Sequence, residues 1–353
     1  MILFLAMCGA IWATGRLMDV PSQARWLMVA LLYVAFIAVQ VVAPEGSSLD
    51  RATGGSAALW LVLGALGAAA FLYRRWLISL KARIEEREEA APAPSDGPFT
   101  ESELDRYARH IVLREIGGVG QLRLKEARVL VVGAGGLGAP ALLYLAGAGV
   151  GTIGVIDHDR VSLSNLQRQV IHRHADDGDP KVASVIRSIK ALNPGTHVRP
   201  YDRRMSEEIA EDLVADYDLV LDGTDDWTTR WAVNAACVAR GVPLVSGAIA
   251  QWEGQVGLYA PSLGGPCTAC LFPKEPDPGT ALTCAEGGVL GPLPGIVGSI
   301  MAAEAVKHLT GAGQTLLGRL MLFDALHMEA WTMDAAPRTD CAVCHGAGRR
   351  RSA

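Results

Sequence analysis

The chain has 353 residues, of which 50% are hydrophobic and 20% are charged, and its net charge at neutral pH is −5. The first 73 residues carry only six charged side chains, whose charges sum to zero, so the apolar excess is concentrated at the N-terminus. This composition excludes a wholly soluble chain, a polytopic transporter that fills the sequence, and an intrinsically disordered protein. The acidic balance also argues against nucleic acid as a partner, because phosphate binding needs a basic surface.

Three uncharged runs open the chain, and they predict two to three transmembrane helices at about 1–18, 26–44 and 54–73, within a membrane segment 1–78. A helix needs about 20 apolar residues to cross the hydrocarbon core. The second and third runs reach that length, whereas the first is marginal. A cleavable signal peptide is the alternative for the first run, although that run lacks a basic start and a typical cleavage site.

Basic residues set the expected orientation of these helices. Five of them follow the third run between positions 74 and 87, whereas the loop before that run carries only Arg51. Because Lys and Arg near span ends favour the cytoplasmic side, we expect a multi-pass inner-membrane protein with its catalytic domain in the cytoplasm. Residues 79–98 predict a charged helix and a Pro-rich linker that marks a domain boundary.

Strands and helices alternate in the domain at 99–346, which a short tail at 347–353 follows. Predicted strands lie at 129–132, 152–156, 197–201, 219–221 and 243–246, with helical segments between most of them. This alternation predicts an α/β fold with a Rossmann-like doubly wound parallel sheet. Three later strands, at 255–259, 320–323 and 329–333, indicate an additional antiparallel part of the domain.

A glycine-rich loop follows the first predicted strand and opens a helix. Its G-x-G-x-x-G pattern consists of Gly133, Gly135 and Gly138, which permit a tight turn and let backbone N–H groups approach a phosphate. Asp157 ends the next strand, where a carboxylate can hold a ribose hydroxyl. By itself this pattern fits an NAD-dependent oxidoreductase equally well, and a glycine-rich turn without a ligand is the other alternative.

Charged residues beyond Asp157 discriminate between these alternatives. Arg168, Lys181 and Asp225 each follow or precede a predicted element, and each alone is most simply a solvated surface charge. Together, cations and carboxylates at the carboxyl ends of parallel strands indicate a site for a polyphosphate and Mg²⁺. A nicotinamide site needs neither.

Five motifs in combination carry a resemblance to a known family. They are RYARHIVL at 106–113, VVGAGGLG at 131–138, DHDRVSLSNLQRQ at 157–169, GDPKV at 178–182 and DGTDD at 222–226. With these motifs the chain resembles, from about residue 100 to 345, the ThiF/MoeB/HesA adenylyltransferases, bacterial relatives of ubiquitin-activating enzymes. The resemblance implies that ATP and Mg²⁺ adenylate the C-terminal glycine of a ubiquitin-like sulfur-carrier protein ending in Gly-Gly, with release of pyrophosphate. The molybdopterin-synthase carrier is favoured, and the thiamine-pathway carrier is the alternative.

The resemblance also implies residue roles. The positions that match the family's nucleotide-binding residues are Gly133, Gly135, Gly136, Gly138, Asp157, Asn165, Arg168, Lys181 and Asp225. Of these, Asp225 is expected to bind Mg²⁺. The positions expected to act in catalysis are Arg109, Arg168, Lys181 and Asp225.

Three further expectations follow from the resemblance. Arg109 matches an arginine that reaches into the partner subunit's site, which implies a homodimer. Asp226 departs from the family, which usually has asparagine there, and the extra carboxylate is expected to alter Mg²⁺ binding only slightly. No sulfurtransferase-like domain follows Cys344, so a separate protein is expected to donate sulfur. A non-catalytic scaffold is a remaining alternative, which the intact phosphate and metal residues disfavour.

The cysteines contain two C-x-x-C pairs, Cys267 with Cys270 and Cys341 with Cys344. Two such pairs predict a tetrahedral Cys₄ site for structural Zn²⁺, which would join the end of the chain to its middle. The alternatives are disulfides, which a reducing cytoplasm disfavours, and a redox-active pair.

The other three cysteines lie outside these pairs. Cys284 matches a family cysteine that links covalently to the carrier in some members, and here a reactive and an inert thiol are equally compatible with the sequence. Cys8 and Cys237 are most simply packing residues.

Overall fold

The computed structural model describes residues 2–18, 20–42, 58, 60–62, 64–66, 68–69, 72–76, 97–275 and 287–345. The chain divides into two compact units, Met1–Ala93 and Pro94–Ala353. The predicted charged helix, most of the predicted linker and the tail lie outside the described residues.

The N-terminal unit contains helices α1 (Ile2–Leu17) and α2 (Ser22–Val42). Among the described residues one helical stretch is long and apolar enough to cross a membrane, Ala24–Val42, with a mean hydropathy of 2.0. The second predicted span therefore has a matching helix. The expectation of two to three full spans goes beyond what the described residues support, because α1 has 16 residues. At 1.5 Å per residue such a helix is about 24 Å long, short of the roughly 30 Å hydrocarbon core. The third predicted span, 54–73, falls largely outside the described residues.

Aromatic rings pack α1 against α2 within this unit. The ring of Phe4 lies 5.3 Å from that of Phe36 and 5.1 Å from that of Trp60, both edge to face. Trp60 belongs to the third uncharged run and is only 2% exposed. These edge-to-face contacts, a favoured geometry for aromatic pairs, bring all three uncharged runs into contact.

The described residues of the second unit form eight strands and most of the described helices. Its elements in chain order are α3 (Glu101–Ile111), α4 (Gly117–Glu126), β1 (Arg128–Val132), α5 (Gly138–Ala148), β2 (Thr152–Ile156), α6 (Lys181–Leu192), β3 (His197–Tyr201), α7 (Glu207–Val214), β4 (Leu219–Asp222), α8 (Trp227–Arg240), β5 (Leu244–Ala250), β6 (Glu253–Tyr259), α9 (Thr268–Leu271), α10 (Pro292–Thr310), β7 (Arg319–Asp324) and β8 (Glu329–Asp334). All eight predicted strands are present, each within a few residues of its predicted bounds.

One mixed sheet holds these strands in the order β3-β2-β1-β4-β5-β6-β7-β8. The first five positions in this order pair in parallel, and the last four pair antiparallel, with β5 common to both groups. The predicted α/β fold is thus confirmed, and its parallel strands form one part of a mixed sheet.

The predicted antiparallel strands are present, and they belong to the same sheet as the parallel strands. β5 pairs with β4 only through residues 244–246, whereas it pairs with β6 along its whole length, from Leu244↔Tyr259 to Ala250↔Glu253. Because β5 is the last of the parallel strands, its second edge is free to pair with β6 in a hairpin. The parallel sheet therefore continues directly into the antiparallel strands.

Two apolar layers cover the sheet because successive strand side chains point to opposite faces. Val129 and Val131 of β1 join one cluster, which contains buried residues of α5, α6 and α10. Leu130 and Val132 join the other, which contains buried residues of α7 and α8. Helices on both faces leave the ends of the parallel strands as the place where polar side chains can gather.

We predict that a fragment beginning at Pro94 folds as stably as the same unit in the intact chain, whereas a fragment beginning at Thr100 is less stable. Phe99 is buried, the Lys125 ammonium lies 5.2 Å from the centre of its ring, and Lys125 Nζ donates to the Pro98 carbonyl at 2.7 Å. Loss of a buried Phe side chain costs about 1.5–3 kcal/mol. Urea denaturation of the two fragments measures the difference, and equal midpoints would contradict the prediction.

Candidate functional site

The loop from β1 to α5 needs glycine at two positions. Gly133 has φ +89°, and its N–H donates to the Ile156 carbonyl at 2.9 Å. A Cβ at Gly138 would lie 1.8 Å from the Gly133 carbonyl oxygen. Glycine alone therefore permits this turn and the close start of α5, which leaves the helix N-terminus at the edge of the sheet, where an anion is favoured.

Asp157, at the end of β2, holds this loop in place. Its Oδ2 accepts a hydrogen bond from the Ala134 N–H, and its Oδ1 accepts one from the Asp159 N–H, both at 2.8 Å. The carboxylate has room for further hydrogen bonds, since each oxygen has two lone pairs. The residue predicted to bind ribose thus also orders the glycine-rich loop.

A large cavity of about 1240 Å³ opens at this edge of the sheet. The predicted residues that line it are Gly133, Gly135, Gly136, Asp157, Asn165, Arg168, Lys181 and Asp225. Small-ligand sites usually measure about 300–1,000 Å³, so this volume leaves space for a nucleotide and for the end of a second molecule. The tertiary structure brings together residues that span more than ninety positions.

Lys181 is the most buried cation of the cavity. Its side chain is 5% exposed, and its Nζ lies 2.8 Å from Asp159 Oδ2 and 3.8 Å from Asp157 Oδ2. A buried ammonium requires such partners. Burial raises the pKa of Asp159, but the hydrogen bond and charge of Lys181 outweigh it, and the net pKa is lowered. Asp159 is 53% exposed, so it can turn to solvent and leave Lys181 to a phosphate.

Arg168 is held by Asn165, whose Oδ1 accepts from Arg168 Nη2 at 2.8 Å. Both belong to a segment around the short 3₁₀ helix Leu163–Asn165. The guanidinium keeps donors that are not used in this contact, because arginine carries five. It is therefore fixed in place and still able to bind an anion.

The two neighbouring carboxylates after β4 have different roles. Asp226 caps α8: its Oδ2 accepts from Thr229 N at 3.0 Å and from Thr229 Oγ1 at 2.6 Å. Burial raises the pKa of Asp226, but these Thr229 bonds outweigh it and lower the net value. The Asp225 side chain is exposed in the cavity, and no group in the described part of the chain holds its carboxylate. Asp225 is thus the carboxylate free to bind a cation, and Asp226 is a helix cap.

Several lining residues were not predicted from the sequence: Gln169, Arg203, Arg204, Trp227 and Arg230. The two arginines at 203 and 204 follow the end of β3. Their position just after a parallel strand was the sequence signal that could have identified them as cavity residues. Arg230 connects the loop after β4 to β5, since it donates to the carbonyls of Thr224 and Gly247.

Gln169 tests whether the cavity suits a polar ligand. Its side-chain oxygen is buried and has no hydrogen-bond partner among the described residues. An unpaired buried oxygen is costly, and Gln169 lines the cavity, with its amide Nε2 beside Gly135. A ligand with a donor group would satisfy the oxygen, so the residues present fit a bound nucleotide.

Three predicted residues lie elsewhere. Gly138 is buried beneath the loop, where it permits close packing. Arg109 is exposed on α3 and does not line this cavity. Cys284 lies outside the described residues.

The four paired cysteines meet in one buried cluster. Cys267 Sγ lies 3.8 Å from Cys270 Sγ and 3.6 Å from Cys341 Sγ, and Cys270 Sγ lies 3.5 Å from Cys344 Sγ. Four thiolates at about 2.3 Å from a tetrahedral Zn²⁺ would be separated by about 3.8 Å. No disulfide joins these four described cysteines. The cluster therefore has the donor set and the spacing for structural zinc, with no position left open for catalysis.

Comparison with known proteins decides the family. The model of the ThiF family matches residues 107–343, which is most of the chain. The chain belongs to the ThiF family. The predicted resemblance is thereby confirmed.

Relatives of this ThiF-family chain carry adenylyltransferase names. It is 49% identical over 250 residues to the sulfur carrier protein adenylyltransferase of Thermus thermophilus, covering 70% of this chain and 92% of that protein. It is 48% identical over 247 residues to the SAMP-activating enzyme E1 of Haloferax volcanii, covering 70% and 91%. The prediction of an adenylyltransferase is confirmed by these relatives.

Solved structures share the fold. The chain superposes on E. coli MccB bound to MccA-N7isoASN with a TM-score of 0.61 at 22% identity, over 68% of this chain and 74% of that one. At this identity the likeness extends to the fold alone.

We predict that the protein binds one Zn²⁺ per chain, and that Cys267→Ser releases it and destabilises the second unit. Removing one thiolate opens the tetrahedral site and frees the chain end, so the loss should include much of the metal's contribution to folding. Metal analysis and thermal unfolding measure both effects. Cys284→Ala is the matched control, because it lies in neither pair, and its zinc content should stay at the native value. A native protein without zinc would contradict the assignment.

Proposed function

We propose that this protein uses ATP and Mg²⁺ to adenylate the C-terminal glycine of a ubiquitin-like sulfur carrier, with the molybdopterin-synthase carrier as the favoured substrate. The observation that carries the proposal is the joining of the glycine loop, Arg168, Lys181 and Asp225 in one cavity. The names of the relatives, which include a sulfur carrier protein adenylyltransferase, support the same reaction class.

The reaction needs no side-chain nucleophile, because the carrier's own carboxylate attacks the α-phosphate and pyrophosphate leaves. The protein's contribution is then positioning and charge stabilisation. The loop at Gly135 and Gly136 offers backbone N–H groups to the phosphates, and Lys181 and Arg168 stabilise negative charge as it builds up. These cations are already held by neighbouring carboxylate and amide groups, so they need little rearrangement during the reaction.

Asp225 is the residue that would hold Mg²⁺, which neutralises charge on the phosphates. Its carboxylate is exposed in the cavity. Asp225 lies in the loop after β4, and the glycine-rich loop follows the neighbouring strand β1. Asp157 is the residue that would hold the ribose. A carboxyl-terminal tail entering the same cavity would meet the aromatic rings of Trp227 and Phe272, whose centres are 6.3 Å apart.

Pyrophosphate exchange into ATP, with and without a panel of carriers ending in Gly-Gly, tests this function. We expect carrier-dependent exchange by the native chain. Asp225→Ala should lower it by roughly a hundredfold or more, since the loss of a metal carboxylate removes several kcal/mol of transition-state stabilisation.

Asp226→Asn is the matched control, because the asparagine oxygen can still cap α8. Its exchange rate should stay within about threefold of the native rate. Near-normal exchange in Asp225→Ala would show that another residue binds the metal. Absence of exchange by the native protein with every carrier would refute the proposed reaction.

We also propose that the N-terminal helices anchor the protein in the inner membrane, with the second unit in the cytoplasm as a homodimer. The apolar stretch Ala24–Val42 supports the anchor, and the basic residues that begin at Arg74 support the orientation. Arg109 supports the dimer, because it is exposed on α3 and away from its own chain's cavity.

A reporter enzyme that is active only after export tests this orientation. Fused after Ala353 it should remain inactive, because the second unit is expected on the cytoplasmic side. The matched fusion after Ser48, in the loop between the second and third runs, should be active. The reverse pattern would place the catalytic unit on the wrong side for cellular ATP.

A further inference from the structure

A buried histidine behind the glycine loop has no role in the reaction proposed above. His172 is 6% exposed and does not line the cavity. Its Nε2 lies 3.0 Å from the Ala134 carbonyl oxygen, and its Nδ1 lies 2.8 Å from Ser184 Oγ. The imidazole thus connects the glycine-rich loop to the second turn of α6.

The Ala134 carbonyl determines which ring nitrogen must carry a proton. A carbonyl oxygen can only accept, so Nε2 must carry a proton in order to bond Ala134. On the other side of the ring, Nδ1 lies against Ser184 Oγ, whose own proton is donated to Asp176 Oδ2. Burial, as the largest cause, lowers the pKa of His172.

Charged groups surround this pair on several sides. Asp176 Oδ2 lies 2.7 Å from Ser184 Oγ, and Asp176 is itself bound by Arg187 at 2.6 Å. The charges of Asp157 and Asp176 favour a protonated ring, whereas that of Lys181 disfavours it. Nε2 keeps its proton in either state, so the bond to the loop does not depend on the ring's charge.

This bond determines where the next N–H group of the loop points. In a trans peptide the C=O and the following N–H point in opposite directions. The Ala134 carbonyl is turned toward buried His172, so the Gly135 N–H is turned away from it, and Gly135 lines the cavity. Since the Ala134 N–H is held by Asp157, both polar groups of Ala134 are fixed.

We propose that His172 is a positioning residue for ATP: its Nε2–H holds the Ala134 carbonyl and thereby orients the Ala134–Gly135 peptide so that an N–H group faces the phosphates. This inference rests on the proposed ATP site, and it is independent of which carrier the enzyme uses. It predicts an effect on ATP binding with little effect on the carrier.

Calorimetric titration of the full chain with Mg·ATP tests the proposal. His172→Phe removes the donor and should weaken ATP binding about tenfold, the loss expected for one such hydrogen bond. His172→Gln should restore affinity to within about threefold of native, because its amide N–H can reach the same carbonyl. In pyrophosphate exchange, His172→Phe should raise the KM for ATP and leave the KM for the carrier unchanged.

Ser184→Ala provides a second test that does not alter the ring. It removes the hydroxyl that contacts Nδ1 and so leaves the imidazole ring less firmly held, which should weaken ATP binding by about threefold to fivefold. Thr196→Val is its matched control: Thr196 Oγ1 also makes a buried hydrogen bond, to the Val150 carbonyl at 3.0 Å, but far from the loop. Its ATP affinity should equal the native value.

The possible outcomes separate this inference from the proposed function. Native ATP affinity in both His172→Phe and Ser184→Ala would overturn the inference, as would a glutamine variant as weak as the phenylalanine variant. If the native chain binds ATP but exchanges pyrophosphate with no carrier, the proposed reaction fails, and the binding series still decides the role of His172. A native chain that binds no ATP overturns both.

Discussion

The parallel pairing of β1 with β2 and β4 is the constraint on which the cavity depends. The register aligns Val132 with Ile156 on one side and with Asp222 on the other, so three strands end at the same level. The loops that follow them therefore emerge side by side. The glycine loop, Asp157 and Asp225 come from three separate segments and meet only because of this alignment.

Burial of charge at this edge sets the chemistry that the cavity can support. Lys181 is enclosed, and two carboxylates neutralise it. One of them, Asp157, is also bound to the glycine loop, whereas Asp159 is exposed and can be replaced by an anion. A phosphate entering the cavity thus exchanges one ionic partner of Lys181 for another, which limits the cost of leaving water.

The cluster of four cysteines attaches the end of the described chain to the rest of the second unit. Cys341 and Cys344 follow the exposed edge strand β8, and they are brought against α9 by contact with Cys267 and Cys270. Buried thiols alone would give this segment little apolar contact area, whereas zinc–thiolate bonds contribute folding free energy directly. The neighbouring α8, which begins at the cavity, contacts α9 and thereby connects the cluster to the cavity.

Features whose pattern lies within neighbouring residues of the chain were determined by the sequence itself. The G-x-G-x-x-G loop, the β-α alternation and the C-x-x-C pairs each depend on neighbouring residues, and each has the structure that its pattern predicts. The family motifs then identified eight of the residues that line the cavity. The apolar helix at the second uncharged run, which is long enough to cross a membrane, also follows from local composition.

Contacts between distant segments were decided by the tertiary structure. Asp226 and Asp225 are adjacent and chemically identical, yet only the path of α8 makes one a helix cap and leaves the other free. His172 belongs to no recognised pattern, because its partners, Ala134 and Ser184, lie 38 and 12 residues away in the sequence. The antiparallel strands likewise extend the parallel sheet because β6 pairs with the edge of β5 that β4 leaves free. In each case a side chain or strand edge takes its role from the group that the fold places opposite it, and that group is not encoded in the neighbouring sequence.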